Sequence, residues 1–574
     1  MTVSGLFAAI LLVLGLFAAY STSYVKADAG EMTWYVKDRV WINFLAAAGV
    51  FAVFLLIKKL PVIKRKIDQL EADERLFHKY RRILFWIGAI LAVIWVISTQ
   101  YRAGADQAQV QKAVYLLHLK DYSMFEPGGY LAKYPNQLGL VWISYVFSLI
   151  FGIFNYTGIQ LCNAAGLVLI YKSLAEIGGH LGMKRSAQLM VILLAILFIP
   201  LTMYTSFVYG TILGLACSLE ALSREMKYFQ DRRKKDLLLS ALLIALAIQL
   251  KSNYLIFLIG MVIYGVLEGI KEKKLCTFAV PVLLIVCFLC SSAAVKSVTK
   301  HVTGYSPDQG SSSWSWIAMG LQEGKRAPGW YNGYNSGTYI DSGFDPEVQA
   351  EMAKENIRGS IERFSEEPWR AIEFFTKKTA SQWNNPTFQS FWNVQVRSMG
   401  VTRSQWNWQM TGIGGMHTWT GILNLFQFII LVGAAAFCLC YDGRNNTIKN
   451  LVPAMIFIGG FVFHLIWEAK CQYTLPYFIL LIPYAVEGFS TAAEWITKSM
   501  MEALLERGFV KIVIVFLLVN ACILIYGGGK LEYLCEDTVE YTCYLEEERV
   551  NPEVKTEAYQ VEIQDRGRNW VPNL

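Results

Sequence analysis

Asp106 follows an apolar run, Ile83 to Ser98, by a few residues and opens a polar segment from Tyr101 to Gln137. A carboxylate anchored where lipid headgroups meet water can take a proton from a hydroxyl as that oxygen attacks a lipid-borne electrophile. Its bland alternative is a helix cap, since Gln109 three residues on completes a capping-box-like pattern; a cap would also fix the direction of the carboxylate. Three cations could meet an anionic leaving group: Lys251 in QLKSNY, Lys470 in WEAKCQY, and Arg102, four residues before Asp106. Against these roles, the two lysines could simply snorkel to an interface and Arg102 could pair with the carboxylate.

The elements that must position these groups are membrane helices. Of 574 residues, 54% are apolar and 17% charged, and the apolar stretches repeat at roughly the 20-residue length of a hydrocarbon core. Spans are expected near 4–20, 41–58, 83–99, 138–155, 157–174, 187–202, 206–223, 236–250, 253–270, 275–294, 418–440, 451–467, 474–490 and 510–528. The first lacks a positive leader, which favours a retained helix over a cleaved signal peptide. The net charge of +7 is topology information, because basic clusters mark cytoplasmic loops. No basic-aromatic face for nucleic acid is present. Lys58 to Arg82, Arg224 to Lys235, Lys271 to Lys274, Arg444, Lys449, Lys498 and Arg507 are assigned inside. Asp106, Lys251, Val295 to His417, Glu468 to Tyr473 and the tail from Gly527 are then outside. Seven apolar runs lie between Asp106 and Val295, where an outside-to-outside path needs an even number. One run must therefore fail to cross: either 138–155, or a re-entrant turn over Leu201 to Tyr209.

Within the surface segment, Val110, Ala113, Val114 and Leu117 recur at helical spacing, which predicts an interfacial helix starting at Asp106. The outer region 295–417 carries Trp314, Trp316, Trp330, Trp369, Trp383, Trp392, Trp406 and Trp408, with a predicted helix over Pro346 to Trp383. Each indole is a packing or interfacial-belt residue, or a platform for a sugar face. The six histidines form no HxxxH or HxH pair, so a histidine metal site is unsupported. Cys287 and Cys290 lie in an apolar span as small lipid-compatible residues; Cys535 and Cys543 could pair in an oxidising exterior. The glycines of GTILG (210–214) and GIGG (412–415) lack the strand-to-helix setting of a phosphate loop and read as packing residues.

The order GADQ around Asp106, a turn at Lys120, Asp121 and Tyr122, an entry Tyr134, Pro135 and Gln137 to the next apolar run, EEPWRAIEFFTKK in the outer region and WEAKCQYTLPYF near the end resembles GT-C type membrane glycosyltransferases. The likeness is to bacterial relatives of protein O-mannosyltransferases and the aminoarabinose transferase (family 39-like), and spans most of residues 83–528. It implies an all-α polytopic membrane protein of about 13 transmembrane helices, with interfacial helices in the first outer loop and a larger outer loop. The expected divisions are an N-terminal pair of spans with a basic linker (1–82), a core (83–294) with its catalytic outer loop at 100–137, the outer region (295–417), C-terminal helices (418–528) and an outer tail (529–574).

The resemblance further implies that a hexose-like sugar leaves a polyprenyl-phosphate donor for an extracytoplasmic acceptor, protein or envelope glycan, in a single inverting step. Asp106 would be the base. Lys251, Lys470 and Arg102 would meet the phosphate, and Asp121, Tyr134, Gln137, Glu468 and Tyr473 would contact sugar or acceptor, with Glu126 a further candidate. No cofactor is implied. Many members place a second acid directly after the base, where this chain has Gln107; that departure argues against a paired-carboxylate site for a divalent metal. Many also carry Arg-Tyr where this chain has Gln472-Tyr473. The competing expectations are a surface-polysaccharide polymerase or ligase, or a transporter of lipid-linked glycan.

Overall fold

The computed structural model describes residues 2–25, 31–99, 101–307, 309–397, 404–440 and 448–498. Arg444, Arg507, the apolar run 510–528, and the tail with Cys535 and Cys543 lie outside the described residues. The chain opens with α1 (Thr2–Tyr20), a hairpin of β1 (Ser21–Val25) and β2 (Thr33–Lys37), α2 (Val40–Lys59), α3 (Pro61–Ala72) and α4 (Glu74–Thr99). The surface segment gives α5 (Asp106–His118) and α6 (Tyr130–Lys133), followed by α7 (Leu138–Phe151), α8 (Tyr156–His180), α9 (Arg185–Leu197), α10 (Ile199–Met203), α11 (Thr211–Asp231), α12 (Lys234–Leu250), α13 (Leu255–Glu272) and α14 (Ala279–Thr303). The outer region holds α15 (Ser313–Gly320), α16 (Tyr334–Asp341), α17 (Pro346–Glu366), α18 (Pro368–Trp383), α19 (Ser390–Arg397) and α20 (Gln405–Thr411). Then come α21 (Ile413–Cys440), α22 (Val452–Ile466), α23 (Leu475–Phe478) and α24 (Leu481–Lys498).

Two expectations change. The fold is nearly, not wholly, α-helical: STSYV and TWYVK, rich in β-branched and aromatic residues, pair antiparallel from Ser21 opposite Lys37 to Val25 opposite Thr33. The single helix expected over Pro346 to Trp383 is two, broken at Glu367, whose φ of −122° and ψ of 73° are the non-helical geometry that a following proline imposes.

The chain is a multi-pass membrane protein. Among the described residues eight helices are long and apolar enough to cross a bilayer, or nine if α9 and α10, bent by 59°, form one broken span. The expected 13 is larger because several apolar runs make helices under span length, such as the 14 residues of α7 and the 17 of α12, while α11 carries Glu220, Arg224, Glu225 and Asp231.

Of the two runs expected to fail to cross, α7 is under span length and α9 with α10 is bent. The first turn of α7 touches the end of α12, where a Cβ on Gly139 would lie 2.5 Å from the carbonyl oxygen of Gln249. Its last turn bonds back to the end of α5, Ser148 to the His118 ring at 2.7 Å. The next helix also starts on that side, since Gln160 of α8 donates to the carbonyl of Ser206 at 2.8 Å. Both ends of α7 therefore lie on the Asp106 side. Between Asp106 and Val295 the helices long and apolar enough to cross are α8, α13 and α14, with α9 and α10 as a bent pair that is either a broken span or a re-entrant loop.

At the far side from Asp106, α8, α11 and α12 are tied by charge. Lys172 binds Glu176 and Glu220, each at 2.8 Å, and Arg224 binds Glu220 at 2.7 Å and Asp236 at 2.8 Å. Half-buried pairs of this geometry satisfy one another inside the bundle. At the near side α11 and α12 meet backbone to backbone: a Cβ on Gly210 would sit 2.0 Å from the carbonyl oxygen of Leu250. The GTILG glycines are close-packing residues, as expected, and they seat the turn that carries Lys251.

Candidate active site

Asp106 is the first residue of α5, not its cap. The cap is Ala105, held at φ +48°, and no side chain caps the helix. The carboxylate is therefore spared from main-chain bonding, and its Oδ1 instead accepts the hydroxyl of Tyr130 at 3.2 Å. The predicted apolar stripe of α5 is buried: Val110, Ala113, Val114 and Leu117 are at most 6% exposed. Gln107, where a second acid was absent, fastens the helix start: its Oε1 accepts from the N–H of Val208 at 3.0 Å and its Nε2 donates to the hydroxyl of Tyr101 at 3.1 Å. Behind the turn lies Arg397, against which a Cβ on Gly104 would collide at 1.9 Å, so only glycine admits the guanidinium there.

Lys251 and Lys470 are presented by the same device. Each follows a helix, adopts extended backbone (φ −160°, ψ 117° and φ −165°, ψ 131°), and precedes a three-residue 3-10 turn ending in tyrosine, Ser252–Tyr254 and Cys471–Tyr473. The sequence repeats as KSNY and KCQY. The ammonium of Lys251 lies 5.4 Å from the ring centre of Tyr473 and 5.7 Å from that of Tyr209, and donates to the Thr211 hydroxyl at 3.1 Å.

Lys470 is held by a residue that sequence reasoning missed. Glu31, at the end of the β-hairpin and 7% exposed, accepts Lys470 at 2.7 Å on Oε1 and Arg326 at 2.6 Å on Oε2; Gln389 adds a bond to Oε1 at 2.8 Å. The segment between the two strands, KADAGEM, holds two acids, Asp28 and Glu31, and nothing in the sequence marks one above the other. The hairpin is docked by main-chain bonds, Thr33 N–H to Arg326 C=O and Ser23 N–H to Asn384 C=O, both 2.9 Å. The outer region reaches the same place through Ala469 N–H to Gly329 C=O at 2.7 Å. Lys378, fully buried, also escaped notice: its ammonium donates to the carbonyls of Gly320 at 2.5 Å and Trp467 at 2.9 Å, clamping the turn that carries Glu468.

The other expected residues divide. Glu468 is buried and its charge acts on Asp106, Glu31 and Lys470, so it belongs to the cluster, as does Tyr473. Tyr134 meets Ser336 at 3.2 Å and feels Asp106 and Glu468; Lys133 reaches the same Ser336 at 2.5 Å. Gln137 bonds Tyr209, which in turn feels Asp106. Arg102 is set apart: it is exposed, its charge acts on Tyr156, and Asp106 answers instead to Lys470 and Arg397. Asp121 is a turn residue, accepting from the N–H of Ser123 at 2.9 Å after Lys120 at φ +57°, the solvated role foreseen for it. Glu126 accepts from Tyr305 at 3.2 Å. Of the outer indoles, Trp330, Trp383 and Trp392 are core residues, whereas Trp314, Trp369, Trp406 and Trp408 are exposed. Trp316 stacks on Trp467 at 6.0 Å and 4° and touches the Tyr134 ring, which packs on Tyr130. A line of rings thus leads from Trp467 to the hydroxyl that binds Asp106.

Asp106 keeps exposed surface and Lys251 is half-buried, yet protein encloses both closely on a wider radius. Burial raises the Asp106 carboxyl above its usual range, against the pull of Lys470 and Tyr130. Burial pushes the Lys251 ammonium down to about 7, with Lys470 adding to the fall, and the Glu468 carboxyl up to about 7. Glu31 goes the other way: burial would raise it, but Lys470 and Arg326 together hold it low. Among the described residues, no group of three or more His, Cys, Asp or Glu is arranged to hold a metal ion.

No protein-family model matches the sequence, and no curated protein does. Among solved structures, the chain is similar to the archaeal oligosaccharyltransferase AglB from Archaeoglobus fulgidus, in complex with an inhibitory peptide and a dolichol-phosphate: TM-score 0.38, 11% identity, 80% of this chain covered. It spans 56% of that enzyme's length. It is also similar to ArnT from Cupriavidus metallidurans bound to undecaprenyl phosphate: TM-score 0.31, 13% identity, 71% of this chain and 77% of that one. At such scores neither likeness carries an argument.

Proposed function

We propose that the protein is a membrane glycosyltransferase that moves a hexose-like sugar from a polyprenyl-phosphate donor to a hydroxyl of an extracytoplasmic acceptor, protein or envelope glycan. The reading is supported by one observation: a carboxylate free of any capping duty stands where the charges of Lys251 and Lys470 act on it. In the step, the acceptor oxygen attacks the anomeric carbon and gives its proton to Asp106. The bond from that carbon to the phosphate oxygen breaks on the opposite face, inverting the centre, and polyprenyl phosphate departs. A raised carboxyl is a stronger base than a solvated one, which suits proton abstraction. Ammonium groups beside the phosphate answer its growing charge in a site of low polarity, where such interactions are strongest. The line of rings from Trp467 to Tyr130 supplies flat apolar faces for a sugar ring, with Tyr134 and Glu468 as its polar contacts. The test is transfer in vesicles supplied with a labelled polyprenyl-monophosphate sugar: the proposal expects turnover from this donor, and turnover from a diphosphate-linked oligosaccharide alone would replace it with a polymerase or ligase.

A further inference from the structure

We infer that Glu31 is a positioning residue that holds Lys470 and Arg326 together as a prepaid pair of cations for the donor's phosphate, so that the N-terminal hairpin completes the site. The inference rests on the proposed function. Lys470 comes from the turn after α22 and Arg326 from the loop after α15. Two like charges brought to one place repel unless a counter-charge stands between them. Glu31 is that counter-charge, and it divides its oxygens: Oε1 takes Lys470 and Gln389, Oε2 takes Arg326. Its two cations hold the carboxyl in the charged form, below its usual range. One carboxylate against two cations leaves the trio with one positive charge in excess. In the donor the phosphate is esterified on both sides and carries one negative charge, which that excess meets, and a second charge develops on the monoester as it leaves. The hairpin brings Glu31 there by design of its docking: β2 bonds the main chain of Arg326 itself, through Thr33 N–H. Cations pre-aimed by a buried partner lose little on binding, which is how a second layer of residues raises affinity without touching the ligand.

The experiment uses the full chain in nanodiscs and measures two things: direct binding of a short-chain polyprenyl monophosphate, and the donor KM and kcat for transfer. Glu31→Gln should weaken binding and raise the donor KM by about tenfold or more, the loss expected for misaligned charge-assisted bonds. Because Lys470 also answers the charge growing on the leaving phosphate, kcat should fall as well, by a smaller factor than the donor KM rises, and Glu31→Asp should recover part of the affinity. In a Lys470→Ala, Arg326→Gln background, adding Glu31→Gln should change binding little, because its targets are gone. Unchanged binding by a folded Glu31→Gln protein would overturn the inference. Where Glu31→Gln lowers thermal stability too far to assay, Arg326→Gln decides, with weaker binding expected and wild-type binding contradicting the pairing. Failure of the wild type to bind the monophosphate, or full transfer by Asp106→Asn, would instead overturn the proposed function, so the two failures are separable.

Discussion

The ammonium of Lys251 lies over the ring of Tyr473, 5.4 Å from its centre, so the first KxxY turn is packed onto the last residue of the second. The two turns come from helices more than 200 residues apart in the chain, and this contact makes them one unit. A change in the charge of Lys251 is therefore felt beside Lys470 as well as at any bound phosphate.

Donor affinity should fall as pH rises through neutrality. Lys251 near 7 is charged below that point and neutral above it, while Glu468 near 7 is neutral below and negative above. Both changes remove positive charge from the cavity as pH climbs. Steady-state kinetics from pH 6 to 8.5 should show a rising donor KM. Lys251→Arg, whose guanidinium keeps its charge throughout, should flatten the rise; an unchanged slope would remove Lys251 from the phosphate site.

Tyr130→Phe should move the acid limb of the transfer rate to higher pH. The hydroxyl bonds the charged form of Asp106 and holds its pKa below what burial alone would give. Without that bond the carboxyl holds its proton to higher pH and is inactive as a base over a wider range. A limb that stays in place would show that another group sets it.

Lys378→Met should lower thermal stability without replacing any group around Asp106. The buried ammonium satisfies the carbonyls of Gly320 and Trp467, and leaving a buried acceptor unpaired costs about 1–3 kcal/mol. A thermal shift in detergent measures it; an unchanged midpoint would contradict the clamp.

Gly210→Ala tests the seating of the Lys251 turn. Its methyl would meet the carbonyl oxygen of Leu250, forcing α11 from α12 at a cost of about 1–3 kcal/mol typical of overpacking. The variant should melt earlier and bind donor more weakly than wild type in the same preparations. Intact binding would show that the turn does not depend on this contact.

What the sequence disclosed follows from how local each signal is. The stripe Val110, Ala113, Val114 and Leu117 needs only one turn of helix to the next, and it is buried as its spacing foretold. Charge clusters placed Asp106, Lys251 and Lys470 on one side from independent anchors, and in the structure the charges of both lysines act on Asp106. The cap at Asp106 failed as an expectation because Ala105 enters the helix at positive φ, a backbone choice no side-chain pattern announces. Glu31 and Lys378 were illegible for a different reason: their partners lie hundreds of residues away or are main-chain carbonyls, so nothing beside them in the chain marks their task. Arg102 shows how little nearness in sequence decides, since it is exposed and its charge acts on Tyr156.

The most direct measurement is transfer by Asp106→Asn in vesicles given labelled polyprenyl-monophosphate sugar, with donor binding measured on the same preparation. Asparagine keeps the shape of the side chain and removes its basicity, so sugar transfer should drop by about 100-fold or more while donor still binds. Transfer at near wild-type rate would contradict the account at its centre.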